Sequence, residues 1–257
     1  MEYTQIIVET IGHVGLIKLN YPPVNAYSRT LSDELTACLD LFSETDAIRS
    51  VVLTGEGKIF CAGADLKGRS AVIKGPGDLT AHLRRSRECF HAIRECAKPV
   101  IAAINGPALG AGLVLAASAD ILIASEKAVL GLPEIDVGLM GGAKHASRLF
   151  GHSMLRQMAL TGYRVKADEL LRLGVVNQVV PPEDLLSAAL ALAGTIADKS
   201  PLAVCLAKQT LNAIEDMTLR DGYRYEQDMT AAISKTEDAK EAQRAFLEKR
   251  PPVFQGR

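Results

Sequence analysis

Short β-rich segments alternate with helical segments along the first two thirds of this 257-residue chain. The β-rich segments, most of which end in glycine or a polar residue as strands do, are 5–11, 14–20, 50–55, 100–106 and 120–125. The intervening segments 31–44 and 83–96 place apolar residues at helical spacing. This alternation predicts an α/β fold in which helices cover a sheet.

The last third of the chain has no strand pattern. From about Glu183 onward, segments with helical periodicity follow one another, and Ser200-Pro201 has the pattern of a helix cap followed by a first helical residue. We therefore predict an α/β core over residues 1–195 and an all-helical region over 196–257.

Composition argues against several classes of protein. The 29 basic and 30 acidic residues give a formal net charge of −1, so neither nucleic acid nor a membrane is an expected partner. The five cysteines form no CxxC or Cys/His pair, so no metal site is expected and the thiols should be reduced. Neither a signal-peptide pattern at the N-terminus nor an apolar run of membrane-spanning length is present, which predicts a cytoplasmic protein.

Two glycine-containing turns follow two of the predicted strands, "FCAGADLKG" (60–68) and "INGPALGAG" (104–112). Their small residues let backbone N–H groups approach a ligand closely, and the second turn leads into a helix whose N-terminal dipole favours negative charge. Two such N–H groups aimed at one point would form an oxyanion hole. Taken singly, a turn of this kind more often reflects tight packing of a helix against a strand.

Glu134 is a carboxylate among apolar neighbours, in "LGLPEI" (130–135). If those neighbours bury it, they disfavour its charged form and suit it to general acid or base chemistry, although a glutamate after proline is often only a helix-start residue. Asp136, two residues further on, either tunes Glu134 through like-charge repulsion or caps a helix.

Five segments, taken in order, resemble the crotonase (enoyl-CoA hydratase/isomerase) superfamily. They are "PVNAYS", "FCAGADLK", "KPVIAAINGPALGAGLVLAASADILIAS", "GLPEIDVGL" and "LTGYRVKADELLRLGVVNQVVPPEDL". The resemblance covers essentially the whole chain and implies a spiral of ββα turns, with C-terminal helices that form a homotrimer or a dimer of trimers. It also implies an acyl-CoA thioester as substrate, with coenzyme A as part of that substrate and no separate cofactor.

The same resemblance implies a set of site residues. Ala64 and Ala111 would supply the two oxyanion-hole N–H groups, and Glu134 would do the acid/base work. The residues expected to contact the substrate are Pro23, Val24, Ala26, Ala62, Asp65, Leu66, Lys67, Gly110, Val114, Pro133, Gly142, Lys144 and His145, with Phe246 and Lys249 reaching coenzyme A of a neighbouring subunit. For Lys144 and His145, a position on the surface is an equally good interpretation.

One residue departs from the family pattern. Val114 stands where hydratases of the family carry a second glutamate. Because two carboxylates flanking one water suit the addition of water, the loss of one should cost about 10²–10⁴ in the rate of ordinary hydration.

Three functions remain open with a single carboxylate. The first is hydratase or isomerase chemistry through a stabilised enolate. The second is hydrolysis of a C–C bond in a cyclic β-oxoacyl-CoA, because "GLPEIDVGLMGGAKHASRL" and "YRYEQ" somewhat resemble ring-opening acyl-CoA hydrolases. The third is binding of acyl-CoA or RNA without catalysis.

Overall fold

The computed structural model of the protein describes residues 2–257, except for the side chain of residue 69. The strands are β1 (Ile6–Ile11), β2 (Val14–Leu19), β3 (Ser50–Gly55), β4 (Val100–Ile104), β5 (Pro107–Leu109), β6 (Ile121–Ser125), β7 (Val129–Gly131), β8 (Arg164–Lys166) and β9 (Val179–Val180). The α-helices are α1 (Arg29–Glu44), α2 (Leu66–Val72), α3 (Asp78–Glu95), α4 (Ala111–Ser118), α5 (Ala143–Ala146), α6 (His152–Thr161), α7 (Ala167–Arg172), α8 (Leu185–Ala197), α9 (Pro201–Ile214), α10 (Leu219–Ile233) and α11 (Glu237–Leu247). Pro133–Val137 and Pro182–Asp184 form short 3₁₀ helices.

All five predicted strands lie in one six-stranded sheet, in the order β1-β2-β3-β4-β6-β9. The β1–β2 pair is antiparallel, and every other pair in the sheet is parallel. Strands β3 and β4 are buried at every position, as expected for parallel strands covered on both faces. The predicted α/β fold is confirmed.

A second sheet has three short strands in the order β5-β7-β8. Pattern analysis missed these strands because three residues are too few for an alternation to show. In their register Leu109 pairs with Gly131, and Gly131 pairs with Arg164. Because β5 leads into α4 and β7 leads into the 3₁₀ helix 133–137, this small sheet sets the relative positions of the second turn and Glu134.

Helices cover both faces of the large sheet. On one face α1 and α3 contribute Leu35 and Ile93 to the main core, and on the other α8 packs Ala189 and Ala193 against the sheet. The domain boundary predicted at residue 195 falls inside α8 and stays a prediction. The predicted helix start at Ser200-Pro201 is confirmed, because the Ser200 hydroxyl accepts a hydrogen bond from the Ala203 amide.

The C-terminal helices combine buried polar residues with an exposed apolar surface. Lys208 of α9 is buried, and its Nζ lies 2.8 Å from Asp120 Oδ2 while donating to the carbonyl oxygens of Ile93 and Lys98. In contrast, Leu219 of α10 is 91% exposed and Phe246 of α11 is 83% exposed. This apolar exposure leaves α10 and α11 with an uncovered face in the single chain.

Within residues 2–257, no single helix is both long and apolar enough to cross a bilayer. Only the bent pair Pro182–Ala197 and Pro201–Ile214, with 106° between its helices, has that length and hydropathy when taken together.

Candidate active site

The two glycine turns are joined by backbone hydrogen bonds. The Cys61 amide donates to the Pro107 carbonyl at 3.1 Å, and the Leu109 amide donates to the Cys61 carbonyl at 3.0 Å. Gly112 permits this approach, because a Cβ at that position would collide with the Cys61 carbonyl oxygen. The pairing brings Ala64 and Ala111, 47 positions apart in the sequence, to the same cavity.

Ala64 and Ala111 both line that cavity, and neither amide has an acceptor among the described residues. Neighbouring amides of the first turn are used, since the Ala62 amide donates to Val24 and the Asp65 amide donates to Tyr27. Among the described residues, neither the Ala64 nor the Ala111 amide donates to a protein oxygen. Ala111 is the first residue of α4, where an N–H has no partner within the helix. Two backbone N–H groups without acceptors on one cavity are the kind of donors from which an oxyanion hole is built.

Glu134 reaches the cavity from the short 3₁₀ helix that follows β7. Its carboxylate packs against Gly110, since a Cβ built on Gly110 would lie 2.5 Å from Glu134 Oε1. Gly110 also has a positive φ of 53°, which disfavours any larger residue. Gly110 is therefore required both by its backbone conformation and by the position of the carboxylate beside it.

The carboxylate of Glu134 lies in an apolar environment. Its Oε2 is buried and has no hydrogen-bond partner within the described part of the chain. Burial raises the pKa of Glu134 above its ordinary value, and the hydrogen bond from its own amide opposes that rise only in part. A carboxylate of raised pKa next to unpaired N–H groups is suited to take up and return a proton.

Val114 forms the wall of the cavity next to Gly142. Val114 is only 4% exposed, and a Cβ on Gly142 would lie 2.8 Å from its Cγ2 and 2.9 Å from Leu132 Cδ2. Position 114, where hydratases of the family carry a second glutamate, is therefore apolar and closely packed in this chain. It lines the same cavity as Glu134.

The cavity has a volume of about 430 Å³ and opens between the two turns, the 3₁₀ helix 133–137 and α3. From α3 it is lined by His82, Ser86 and Phe90, and Tyr27 stacks on Phe90 with 5.2 Å between ring centroids. The sequence analysis missed this stripe. His82, Ser86 and Phe90 are spaced by four residues, which places them on one face of α3. In the sequence, the same spacing is equally typical of an amphipathic helix that only packs against a core.

Comparisons with known proteins agree on the family. The family model described as enoyl-CoA hydratase/isomerase matches residues 9–257. The chain is 40% identical over 253 residues to a probable mitochondrial enoyl-CoA hydratase of Dictyostelium discoideum, covering 96% of this chain and 89% of the relative. It is 39% identical over the full length of both chains to a probable enoyl-CoA hydratase of Rhizobium meliloti.

The fold comparison gives the same result. The crystal structure of an enoyl-CoA hydratase from Bacillus anthracis superposes with a TM-score of 0.93 at 35% identity, covering 99% of this chain and 100% of the other. The chain belongs to the enoyl-CoA hydratase/isomerase family. The predicted family and the crotonase-like fold are thereby confirmed.

In this member of the family, the segment 23–26, which contains three of the predicted substrate contacts, lies alongside the first turn. Val24 accepts from the Ala62 amide, and the Asn25 side-chain amide donates to the carbonyls of Glu56 and Ile59, which holds Pro23, Val24 and Ala26 in place. Asp65 instead has a local role, because its carboxylate accepts from the Gly68 amide at the start of α2.

Leu66, Pro133 and Gly142 line the cavity together with both turns. Lys67 is exposed at the start of α2, beside Leu66. A role in substrate binding for each of these residues stays a prediction.

Lys144 and His145 lie outside the cavity lining in the described structure. Lys144 is 85% exposed, and its Nζ lies 3.9 Å from Asp216 Oδ1. His145 is half-buried and packs edge-on against Phe90, at 5.6 Å between centroids. Its pKa is lowered by burial first, and then by the nearby charges of His91, Arg148 and Arg94. A role in substrate binding for either residue stays a prediction.

The two C-terminal residues, Phe246 and Lys249, do not line this cavity either. Phe246 is exposed on α11, and Lys249 follows that helix with a positive φ of 54°. Their predicted role toward the substrate of a neighbouring subunit stays a prediction.

The interpretation of Asp136 as a helix cap is wrong. Asp136 does not cap a helix, because the residue before the 3₁₀ helix 133–137 is Leu132 and the residue before α5 is Gly142. Instead it lines the cavity on the same wall as Arg164, which the sequence analysis did not single out.

A metal site is not indicated in the described residues. No group of three or more His, Cys, Asp or Glu side chains there is arranged to hold a metal ion.

Proposed function

We propose that this enzyme acts on an acyl-CoA thioester, with the thioester oxygen held between the N–H groups of Ala64 and Ala111 and with Glu134 as its acid/base residue. The proposal is carried by one observation. Two backbone amides without an internal acceptor lie on the same cavity as a carboxylate whose Oε2 is buried and unpartnered. The enoyl-CoA hydratases to which the chain is similar support a thioester substrate.

The reaction follows from the charges at this site. Glu134 removes a proton from the carbon next to the thioester carbonyl, and the electron pair of that C–H bond moves onto the carbonyl oxygen. The resulting enolate oxygen accepts hydrogen bonds from Ala64 and Ala111, which lowers the free energy of the charged intermediate. The proton is then returned from the neutral Glu134.

Val114 favours reactions that need one carboxylate. A double-bond shift needs only that Glu134 take a proton from one carbon and return it two carbons away. Addition of water benefits from a second carboxylate, which the apolar wall at Val114 does not supply. We therefore expect isomerisation of an enoyl-CoA to exceed its hydration.

The test is to incubate the purified protein with crotonyl-CoA, a 3-enoyl-CoA and a cyclic β-oxoacyl-CoA, and to follow mass and ultraviolet absorbance. A shift of the 3-enoyl double bond into conjugation, without change of mass, is the expected result. Reaction of the cyclic thioester alone, with the mass of one water gained, would replace isomerisation by C–C hydrolysis. No reaction of any of the three, in a protein that still binds them, would favour a non-catalytic binder.

We also propose that the exposed apolar faces of α10 and α11 are covered in a homotrimer or a dimer of trimers. Support comes from the exposure of Leu219 and Phe246, which is costly for a single chain in water. Sedimentation equilibrium of the purified protein is expected to give the mass of a trimer or a hexamer. A monomer at micromolar concentration would contradict the proposal.

A further inference from the structure

Asp136 and Arg164 form a polar wall in a cavity that is otherwise lined mainly by apolar groups and backbone. Arg164 begins β8 and pairs with Gly131, which in turn pairs with Leu109 of the second turn. Arg164 is therefore two strand spacings, about 10 Å, from the turn that carries Ala111. This separation places the polar wall beyond the reacting carbons of a thioester held at Ala64 and Ala111.

Arg164 is an exposed residue that lines the cavity from β8, the edge strand of the small sheet. A Cβ built on Gly131 would lie 3.1 Å from Arg164 Cγ and 3.3 Å from Leu109 Cδ2. Because Gly131 has no Cβ, the aliphatic part of Arg164 can pack over the strand beside Leu109.

Arg164 has no protein partner for its charge. Across the described residues, its guanidinium makes neither an ion pair nor a hydrogen bond, although several other arginines do. Arg172, nearby in the sequence, pairs with Glu169 at 3.0 Å. An arginine with five N–H donors and no acceptor, facing a substrate cavity, is available to an acceptor on the substrate.

The carboxylate of Asp136 disfavours a negatively charged acceptor on the substrate. This carboxylate packs against Gly162, where a built Cβ would lie 3.0 Å from each carboxylate oxygen. Asp136 and Glu134 both line the cavity, so a second anion on the substrate would meet two carboxylates as well as one guanidinium. A neutral oxygen accepts from Arg164 without that repulsion.

We propose that the acyl group of the substrate carries a neutral oxygen, as a ketone or hydroxyl beyond its β-carbon, which accepts a hydrogen bond from Arg164. This inference rests on the proposed function, because it assumes a thioester held by the two turns. An alkyl group at the same place would exclude water from both polar side chains and give no hydrogen bond in return.

The experiment compares the binding of two saturated thioesters, hexanoyl-CoA and 5-oxohexanoyl-CoA, by isothermal titration calorimetry. Neither has a double bond to shift or hydrate, so the result does not depend on which reaction the enzyme performs. The variants are Arg164→Met, which keeps the aliphatic stem over Gly131, and Arg172→Met, a matched control outside the cavity lining.

The wild-type protein and the Arg172→Met control should bind the oxo thioester about tenfold more tightly than the alkyl thioester, as expected for one hydrogen bond to a charged donor. In Arg164→Met this preference should disappear, while hexanoyl-CoA binding stays within about threefold. An Arg164→Lys variant keeps a positive charge at this position but not the guanidinium group. It should therefore keep part of the preference for the oxo thioester.

Three outcomes would overturn the inference. Equal wild-type affinity for the two thioesters would mean that Arg164 does not contact the acyl group. Equal weakening of both thioesters in Arg164→Met would assign Arg164 to the coenzyme A part. Tighter binding of a carboxylated thioester, 5-carboxypentanoyl-CoA, than of the oxo thioester would contradict a neutral group. Failure of every thioester to bind the wild-type protein would instead refute the proposed function itself.

Discussion

The two glycine turns and the 3₁₀ helix 133–137 are neighbours in the site, but they contribute to it in opposite ways. The turns offer backbone amides, so their side chains matter only by being small enough for Cys61 and Gly112 to approach each other. The 3₁₀ helix offers a side chain, and its backbone serves to place Glu134 beside Gly110. Substitutions in the turns should therefore act through the volume that they add. Substitution of Glu134 in the 3₁₀ helix should act through the loss of its acid/base group.

The largest effect is expected from Glu134→Gln. This change keeps the shape of the side chain but removes the group that takes up the proton, so turnover should fall by about 10²–10⁴. Binding of a saturated acyl-CoA should remain within a few-fold, because the two turns are untouched. Steady-state kinetics and calorimetry on the same preparation measure both quantities, and unchanged turnover would remove Glu134 from the mechanism.

Val114→Glu should give the next largest effect, as a gain of function. A carboxylate added at this cavity wall supplies a second acid/base group, and hydration of crotonyl-CoA should rise by at least about tenfold. Val114→Gln is the matched control, because it has nearly the same volume and no acid. A folded Val114→Glu protein with no more hydration than the glutamine variant would show that position 114 does not face the reacting carbons.

Gly110→Ala tests the contact between the two regions. The added Cβ would lie 2.5 Å from Glu134 Oε1 and would require alanine to adopt a φ of 53°, so turnover should fall by about tenfold as the carboxylate is displaced. Gly57→Ala is the control, since Gly57 also has a positive φ but open space around it. Equal losses in both variants would attribute the effect to backbone strain alone.

The smallest expected effect is on stability. Burial raises the pKa of Glu134 in the folded protein, so its ionisation favours the unfolded state at neutral and higher pH. At pH 8, Glu134→Gln should therefore have a higher free energy of unfolding than the wild type. The difference should shrink as the pH falls through the raised pKa and vanish only well below the ordinary glutamate pKa of about 4.3, where the side chain is protonated in both states. Urea unfolding at several pH values measures it, and a difference that does not change with pH would contradict the assigned cause.

The longer strands and helices of the fold leave clear local patterns in the sequence. Strand β3 was predicted at its exact bounds, and the start at Ser200-Pro201 was correct, because long apolar runs and helix caps are local signals. Helix α3 begins at Asp78, five residues before the predicted segment 83–96, since its first turn carries too few apolar residues to show a pattern. Strands β5, β7 and β8 were missed, and with them the reason that Glu134 and Ala111 lie together.

The candidate site was only partly accessible from the sequence. Ala64, Ala111 and Glu134 were named from motifs and resemblance, and the structure brings all three to one cavity. His82, Ser86 and Arg164 were not named, because each lies in a segment whose pattern equally suits an exposed helix face or a short edge strand. The sequence favoured a helix-cap role for Asp136. In the folded chain its carboxylate packs against Gly162, and the residue lines the cavity.

The order of the five longer strands and of the helices next to them, the glycines that permit close backbone approach, and the absence of an acid at position 114 could all be read from the sequence. These follow from periodicity, from the conformational freedom of glycine and from the identity of a single residue, all of which are local. The tertiary structure alone decided which carboxylate oxygen is buried without a partner and which arginine keeps an unpaired charge in the cavity. Burial and charge pairing depend on residues distant in the chain, so the physical state of Glu134 and Arg164 emerges only when β5, β7 and β8 are assembled side by side.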